Sequence, residues 1–273
     1  MAGERLLEGI ALRSSALGES DRLLTLLSEE EGLIRLAVPG ARKPRSRLAA
    51  ALPLAHLRLQ VGQGDLPRVR QLTLVRSFSG LGERLETLAA AQALAELCLR
   101  LVPTGAPSPG WPAMVLAHLG RLEAVVVEAS ERVEALAIAV QGSAHLLALG
   151  GYALPLGHCA RTGTPLHPPL SNPAWRCSLL PAEGLATGVV AGAAVVLNAS
   201  ELALLQRLPR PGLPRSREGD LLGPEVVWLH LLELMEHWCD EHLGRRPRAF
   251  RLLRASAEAM PQPRSAIRPS TDP

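Results

Sequence analysis

Aromatic side chains are scarce in this chain, at 3% of its 273 residues. The first eighty residues hold a single one, Phe78. Proteins that stack unpaired bases on exposed rings need more than that. Any nucleic-acid contact is therefore expected to run through phosphates, with little base readout and strong salt dependence. Phe78 itself is read as a packing residue at a junction between a barrel and helices. Lysine is nearly absent too: Lys43 is the only one, and arginine supplies the remaining cationic side chains. The four cysteines, Cys98, Cys159, Cys177 and Cys239, are too few in a chain of this length for a disulfide framework. No apolar run reaches the roughly 18 residues that cross a bilayer. Met1-Ala2-Gly3-Glu4-Arg5 lacks the basic-then-apolar order of a secretory leader. The expectation is a cytoplasmic protein with no membrane partner.

Catalytic signatures are missing as well. There is no Gly-x-x-x-x-Gly-Lys phosphate loop, no Gly-x-Ser-x-Gly elbow and no His-Glu-x-x-His. Gly62-Gln63-Gly64-Asp65 reads as a hairpin turn, and Glu29-Glu30-Glu31 as a solvated turn. No catalytic residue and no enzymatic turnover are expected.

What the chain does have is unevenly placed positive charge. The net charge is +3. Residues 31–80 carry nine basic side chains against Glu31 and Asp65. Residues 244–268 carry seven arginines against Glu258. Two basic zones on a nearly neutral protein point to a directed anionic partner.

Periodicity divides the chain. Leu57, Leu59 and Val61 alternate with His56, Arg58 and Gln60, the period of a half-buried strand. Further strands are predicted over 6–13, 22–28, 33–38 and around Leu72 and Leu74, separated by turn-forming clusters. Five short strands in eighty residues predict a small barrel such as the oligonucleotide-binding (OB) fold. From Leu81 the apolar spacing becomes helical and stops before Pro103. Helices are predicted from Trp111, over 130–149, over 200–208 and over 224–243, the last closed by Gly244. The fold class is α+β. Residues 1–80 form the barrel, 81–151 and 188–254 a helical domain, and 152–187 an irregular inserted module. Residues 255–273 are predicted to be a disordered tail.

The strongest candidate site is Arg42-Lys43-Pro44-Arg45-Ser46-Arg47. Gly40 permits an unusual backbone angle and Pro44 stiffens the loop. Arg42, Lys43, Arg45 and Arg47 are placed to meet successive phosphates, with Arg35, Arg58, Arg68 and Arg70 on neighbouring strands extending the patch. Cys159 and Cys177 invite a zinc reading. Structural zinc takes four ligands in short-spaced pairs, yet Thr162 and Leu180 stand where the second cysteines belong. His158 and His167 are nearby, but His158 adjoins Cys159 and cannot easily converge with it. The two cysteines are read as free thiols, with no cofactor. His230 and His237 share a helix face but lie about 10 Å apart along it, too far for one ion. With Cys239 and His242 they are read as surface and interface residues.

The residues then resemble a known family. Gly9-Ile10-Ala11-Leu12-Arg13, Gly18-Glu19-Ser20-Asp21-Arg22-Leu23-Leu24-Thr25-Leu26-Leu27, Gly32 and Pro39-Gly40-Ala41-Arg42-Lys43-Pro44-Arg45-Ser46-Arg47-Leu48 are similar to the N-terminal domain of the RecO family of bacterial recombination mediators. The match continues at Gly62-Gln63-Gly64-Asp65-Leu66 and returns at His242-Leu243-Gly244-Arg245-Arg246-Pro247-Arg248. The resemblance implies an OB-fold barrel and a helical domain interrupted by a zinc-finger-like module. It implies binding of single- and double-stranded DNA and annealing of complementary strands. It also implies work with RecR, and in some members RecF, to load RecA onto strands coated by single-stranded-DNA-binding protein (the RecF pathway of DNA repair and recombination after DNA damage). Such a protein is expected at the nucleoid. The acidic, apolar C-terminal tail of the coating protein would dock on the helical domain; the C-terminal arginines are one candidate for it, and a leucine-lined groove rimmed by Arg121 or Arg132 another. The sequence departs from the family at the module, which keeps only Cys159 and Cys177 as vestigial zinc positions and is therefore degenerate. It departs again at Pro39, where the family often has lysine. Arg245, Arg246, Arg248 and Arg251 either extend the DNA surface or bind a protein partner. A rival reading is an adaptor that does not bind DNA and recruits repair partners through its basic surfaces.

Overall fold

Leucine pairs such as Leu26-Leu27, and Leu33 beside Ile34, put one apolar side chain on each face of an extended strand. A sheet built from such strands must be covered on both sides. The computed structural model, which describes residues 4–258, shows how.

Five strands, β1 (Arg5–Leu17), β2 (Asp21–Ser28), β3 (Gly32–Val38), β4 (Ala55–Val61) and β5 (Val69–Ser77), form one antiparallel sheet in the order β3-β2-β1-β4-β5. The sheet is open. Its edge strands approach at a bridge between Ala37 and Arg68, where the Ala37 N–H donates to the Pro67 carbonyl. No continuous β3–β5 ladder forms among the described residues, so the predicted barrel is corrected to a curled sheet that does not close. The concave face buries Leu24, Leu26, Leu36, Leu57, Leu59 and Val61 in a core of its own. The opposite face contributes Ile10, Leu12, Leu27, Leu33, Leu54 and Phe78 to a second core shared with the helices. Both faces are buried near the centre, which accounts for strands so rich in leucine.

A 3-10 turn over Ser79–Glu83 leads into α1 (Leu85–Leu101), followed by α2 (Trp111–Val127) and α3 (Arg132–Leu149). Gly142 on α3 lets α1 approach closely, because a Cβ there would sit 2.7 Å from Leu94 Cδ2. Gly32 locks sheet to helices. It has φ +58°, and a Cβ would fall 2.4 Å from the Pro103 carbonyl oxygen. The inserted module is more regular than predicted. It carries β6 (Arg176–Leu180) and β7 (Gly184–Thr187), and β6 also pairs with β8 (Val195–Asn198) beyond the expected boundary.

Asn198 caps the short α4 (Ala199–Leu205) through a reciprocal pair: Glu201 N–H donates to Asn198 Oδ1 at 3.0 Å and Asn198 N–H to Glu201 Oε2 at 2.8 Å. Helix α5 (Glu225–Leu243) ends at Gly244 in the left-handed region, as its sequence predicts. Helix α6 (Arg248–Glu258) then packs back on α1. Residues 255–258 are thus helical, a correction to the predicted tail, whose remainder from 259 lies outside the described residues. No described helix is long and apolar enough to cross a membrane.

Candidate nucleic-acid interface

The loop between β3 and β4 is held by its neighbours in a way that leaves its cations outward. The Gly40 N–H donates to Asp21 Oδ1 at 2.8 Å, and the Arg42 N–H to the Ser20 carbonyl at 2.9 Å. Arg42 Nη1 donates to the Gly18 carbonyl at 3.0 Å. The loop therefore hangs from the tip of the β1–β2 hairpin. The Gly40 N–H, the Ser20 hydroxyl and the charges of Arg68 and Lys43 together hold the Asp21 carboxyl below the usual carboxylate range. Gly40 takes φ +62° and Arg45 φ +59°, so the loop folds back on itself within six residues. Arg42, Lys43, Arg45 and Arg47 are all exposed. None of the four pairs with a carboxylate among the described residues.

The other predicted residues divide into three settings. Arg68 joins the loop, 3.8 Å from Asp21. Arg70 is exposed on β5 with no ionic partner among the described residues. Arg58 is outward, but it pairs with Glu8 at 2.8 Å on a part of the sheet that His56 also shares. Its charge is therefore largely neutralised.

Arg35 lies elsewhere again. The bulge between Ala11 and Arg13 shifts the register of β1, so Arg13 faces Thr25 and Thr25 faces Arg35. This row forms one wall of a cleft of about 950 Å³. The other wall comes from α1 and the start of α6, with Arg100, Arg245 and Arg248. Glu96 is the acid there, and it is already engaged. It accepts the Arg248 and Ala249 N–H groups at 3.0 and 2.7 Å, capping α6, and pairs with Arg100. Burial alone would raise its carboxyl, but these donors outweigh burial and hold it low. Arg100 also donates to the carbonyls of Arg245 and Arg246 at 2.7 and 3.0 Å. Arg246 turns away to Asp240 at 3.1 Å, and Arg251 is exposed on α6 outside the cleft lining.

A separate apolar pocket of about 460 Å³ opens between α2, α3 and the segment after α4, lined by Met114, Leu147, Leu154, Leu208 and Met235 among others. Arg121 stands at it. Arg132 does not line it and instead pairs with Glu225 at 2.9 Å, so of the two predicted rim residues only Arg121 belongs to this groove. Arg121 Nη1 donates to Gln141 Oε1 at 2.8 Å. Gln141, fully buried, shares its amide hydrogens among the carbonyls of Leu208, Arg210 and Gly212 at 3.2, 2.9 and 2.8 Å. His145 Nε2 also donates to the Leu208 carbonyl at 2.7 Å. That leaves His145 Nδ1 to accept from His118 Nε2 at 3.1 Å. Burial, with the charges of Arg121 and His145, pushes His118 down to about 3, so it is neutral. The floor of the pocket is thus a hydrogen-bonded chain of polar side chains under one guanidinium. Nothing in the sequence pattern pointed to Gln141, His118 or His145. Their pairing requires α2 and α3 to be side by side.

In the inserted module Cys159 and Cys177 are both buried. Thr162 and the Thr187 N–H, at 3.4 Å, hydrogen-bond the Cys159 sulfur and lower its thiol to about 6. Burial, and then the Cys159 charge, raise Cys177 to about 11. A zinc site requires two further ligands, and no group of three or more histidine, cysteine or acidic side chains converges among the described residues. Thr162 satisfies the sulfur where a ligand would stand, and the residues present do not fit the metal. His230 is not a free surface residue: its Nδ1 contacts Glu201 at 2.8 Å.

The sequence matches the family described as Recombination protein O N terminal over residues 1–78, and Recombination protein O C terminal over residues 82–250. A DNA repair protein RecO from Synechococcus sp. (strain WH7803) is 57% identical over 263 residues, covering 96% of this chain and 97% of that protein. One from Trichodesmium erythraeum (strain IMS101) is 32% identical over 267 residues, covering 90% and 92%. With both halves of the chain matched in order, and full-length relatives on either side of one-third identity, this chain belongs to the RecO family.

Proposed function

We propose that the chain is a DNA repair and recombination mediator that binds single- and double-stranded DNA and anneals complementary strands. Its relatives are named DNA repair proteins, which supports the setting. The observation that carries the DNA reading is the loop: four exposed cations, none neutralised by a carboxylate among the described residues, on a backbone tied to the hairpin tip. In this reading residues 1–80 act as the OB-type DNA-binding domain. Arg42, Lys43, Arg45, Arg47, Arg68 and Arg70 screen phosphate repulsion so that two strands can approach. No bond is broken, so no general acid or base is required and no zinc is used. With RecR, and in some settings RecF, the chain would load RecA onto strands coated by single-stranded-DNA-binding protein.

The apolar pocket supports a second contact. An acidic, apolar peptide tail ending in a carboxylate matches a leucine- and methionine-lined groove with Arg121 at its edge. We assign that groove to the coating protein's tail.

Titrating a labelled single strand against salt tests the DNA reading. The log–log slope should be steeper than about −3 and should collapse when Arg42, Lys43, Arg45 and Arg47 are changed to Ala. A variant that kept full DNA affinity but lost a protein partner would favour the adaptor reading. Arg121→Ala should abolish binding of an acidic-apolar peptide with a free C-terminal carboxylate and leave the DNA slope unchanged.

A further inference from the structure

Arg35, Arg245 and Arg248, expected from the sequence near a DNA or partner surface, lie away from the loop, and Arg13 and Arg100 have no place in the proposed reading. They come from three distant parts of the sequence, and the fold gathers them around one cleft. We propose that this cleft is a second phosphate-binding track, into which a strand held by the 40–47 loop continues. The inference rests on the reading that the chain binds nucleic acid and goes beyond it in naming the path and its residues.

Three observations carry it. The first is charge. Five guanidinium groups line the cleft, and the acid among them, Glu96, is committed to capping α6 and pairing with Arg100. Arg13, Arg35, Arg245 and Arg248 are exposed and have no carboxylate partner among the described residues. Like charges gathered this way repel one another and raise the local concentration of a polyanion. The second is rigidity. The Arg100 side chain is 9% exposed. Its guanidinium is held rigid by Glu96 and two carbonyls, so this group is fixed in the cleft wall before any ligand arrives.

The third is continuity. Ser15 and Leu23 of the β1–β2 hairpin line the cleft, while Gly18, Ser20 and Asp21 of the same hairpin hold the basic loop. The two sites are separated by a few residues, about 10 Å of strand. Arg13 and Arg35 stand two strand spacings apart, about 10 Å. That spreads positive charge along a path, as a repeating phosphate backbone requires. The pocket at Arg121, with one arginine at the edge of a mainly apolar lining, has the opposite character and suits a single carboxylate.

The test uses the full chain and single strands of about 4 to about 16 nucleotides. Arg13, Arg35 and Arg248 are changed together to Ala, leaving the loop, Glu96 and Arg100 intact. Short strands should bind the variant as they bind the wild type. The gain in affinity with length should be lost, and the salt slope for long strands should fall by about 2. Arg35→Gln alone, an exposed change on one strand, should lower the slope by about 0.7, so a folding defect in the triple variant does not decide the matter. A triple variant with wild-type length dependence and slope overturns the proposal, as does one that keeps both and instead loses an acidic peptide. If the loop variant also binds DNA like the wild type, the underlying reading fails with it. If only the loop variant loses binding, the cleft proposal is overturned and the underlying reading stands.

Discussion

The basic loop and the Arg121 pocket use the same side chain in opposite ways. In the loop, the guanidinium groups are exposed, and Arg42 donates to the Gly18 carbonyl. In the pocket, Arg121 is half-buried. Burial and the charge of Arg215 lower its pKa against the pull of Glu134, and its side chain is positioned by Gln141. The difference lies in how far each site is part of the fold. Loop charges can be removed without opening the core. The pocket's polar groups hold the 208–212 segment in place and cannot be removed without cost.

Gln141→Leu presses hardest on that contrast. It strips amide donors from the buried Leu208 carbonyl and the more exposed Arg210 and Gly212 carbonyls, and the acceptor from Arg121, and should cost about 2 kcal/mol in chemical denaturation. A neutral result would show that the pocket floor is not structural. Acid comes next. His118 is neutral in the fold and takes a proton only when the chain unfolds. Its contribution is therefore complete above 6.5 and is lost as pH falls from there toward about 3. The loss should reach about 1.4 kcal/mol per pH unit and should flatten in His118→Asn, measured by thermal or urea unfolding across that range. The four-alanine loop variant should change stability by less than about 0.5 kcal/mol while it loses DNA affinity. A large drop in melting temperature would place the loop inside the fold. The finest cut compares two outward arginines. Arg70→Ala should lower the DNA salt slope by about 0.7, and Arg58→Ala by less, because Glu8 already neutralises it.

Much of the fold was legible because its signals are local. Period-2 alternation marked β4, and the breaks at Pro103 and Gly244 ended helices where the structure ends them. Barrel closure was not legible, because it depends on whether β3 and β5 meet along their length, and they meet at one bridge. Strands β6 and β7 were missed because they are short and their partner β8 lies outside the module. In the candidate interface the loop announced itself as a charge run. Arg13 did not. Only the bulge after Ala11 turns it toward Arg35.

Sequence by itself determined the family, the order of sheet and helices, and the exposed basic loop. Each follows from residues adjacent in the chain: a periodicity, a cap, a cluster of like charge. Tertiary structure decided which charges act together. It paired Arg58 with Glu8, Arg132 with Glu225 and Arg246 with Asp240, and it left Arg13, Arg35 and Arg248 facing one cleft. The physical reason is that a charge's effect depends on its nearest opposite charge and on its burial, and both are set by strand register and helix packing rather than by chain order.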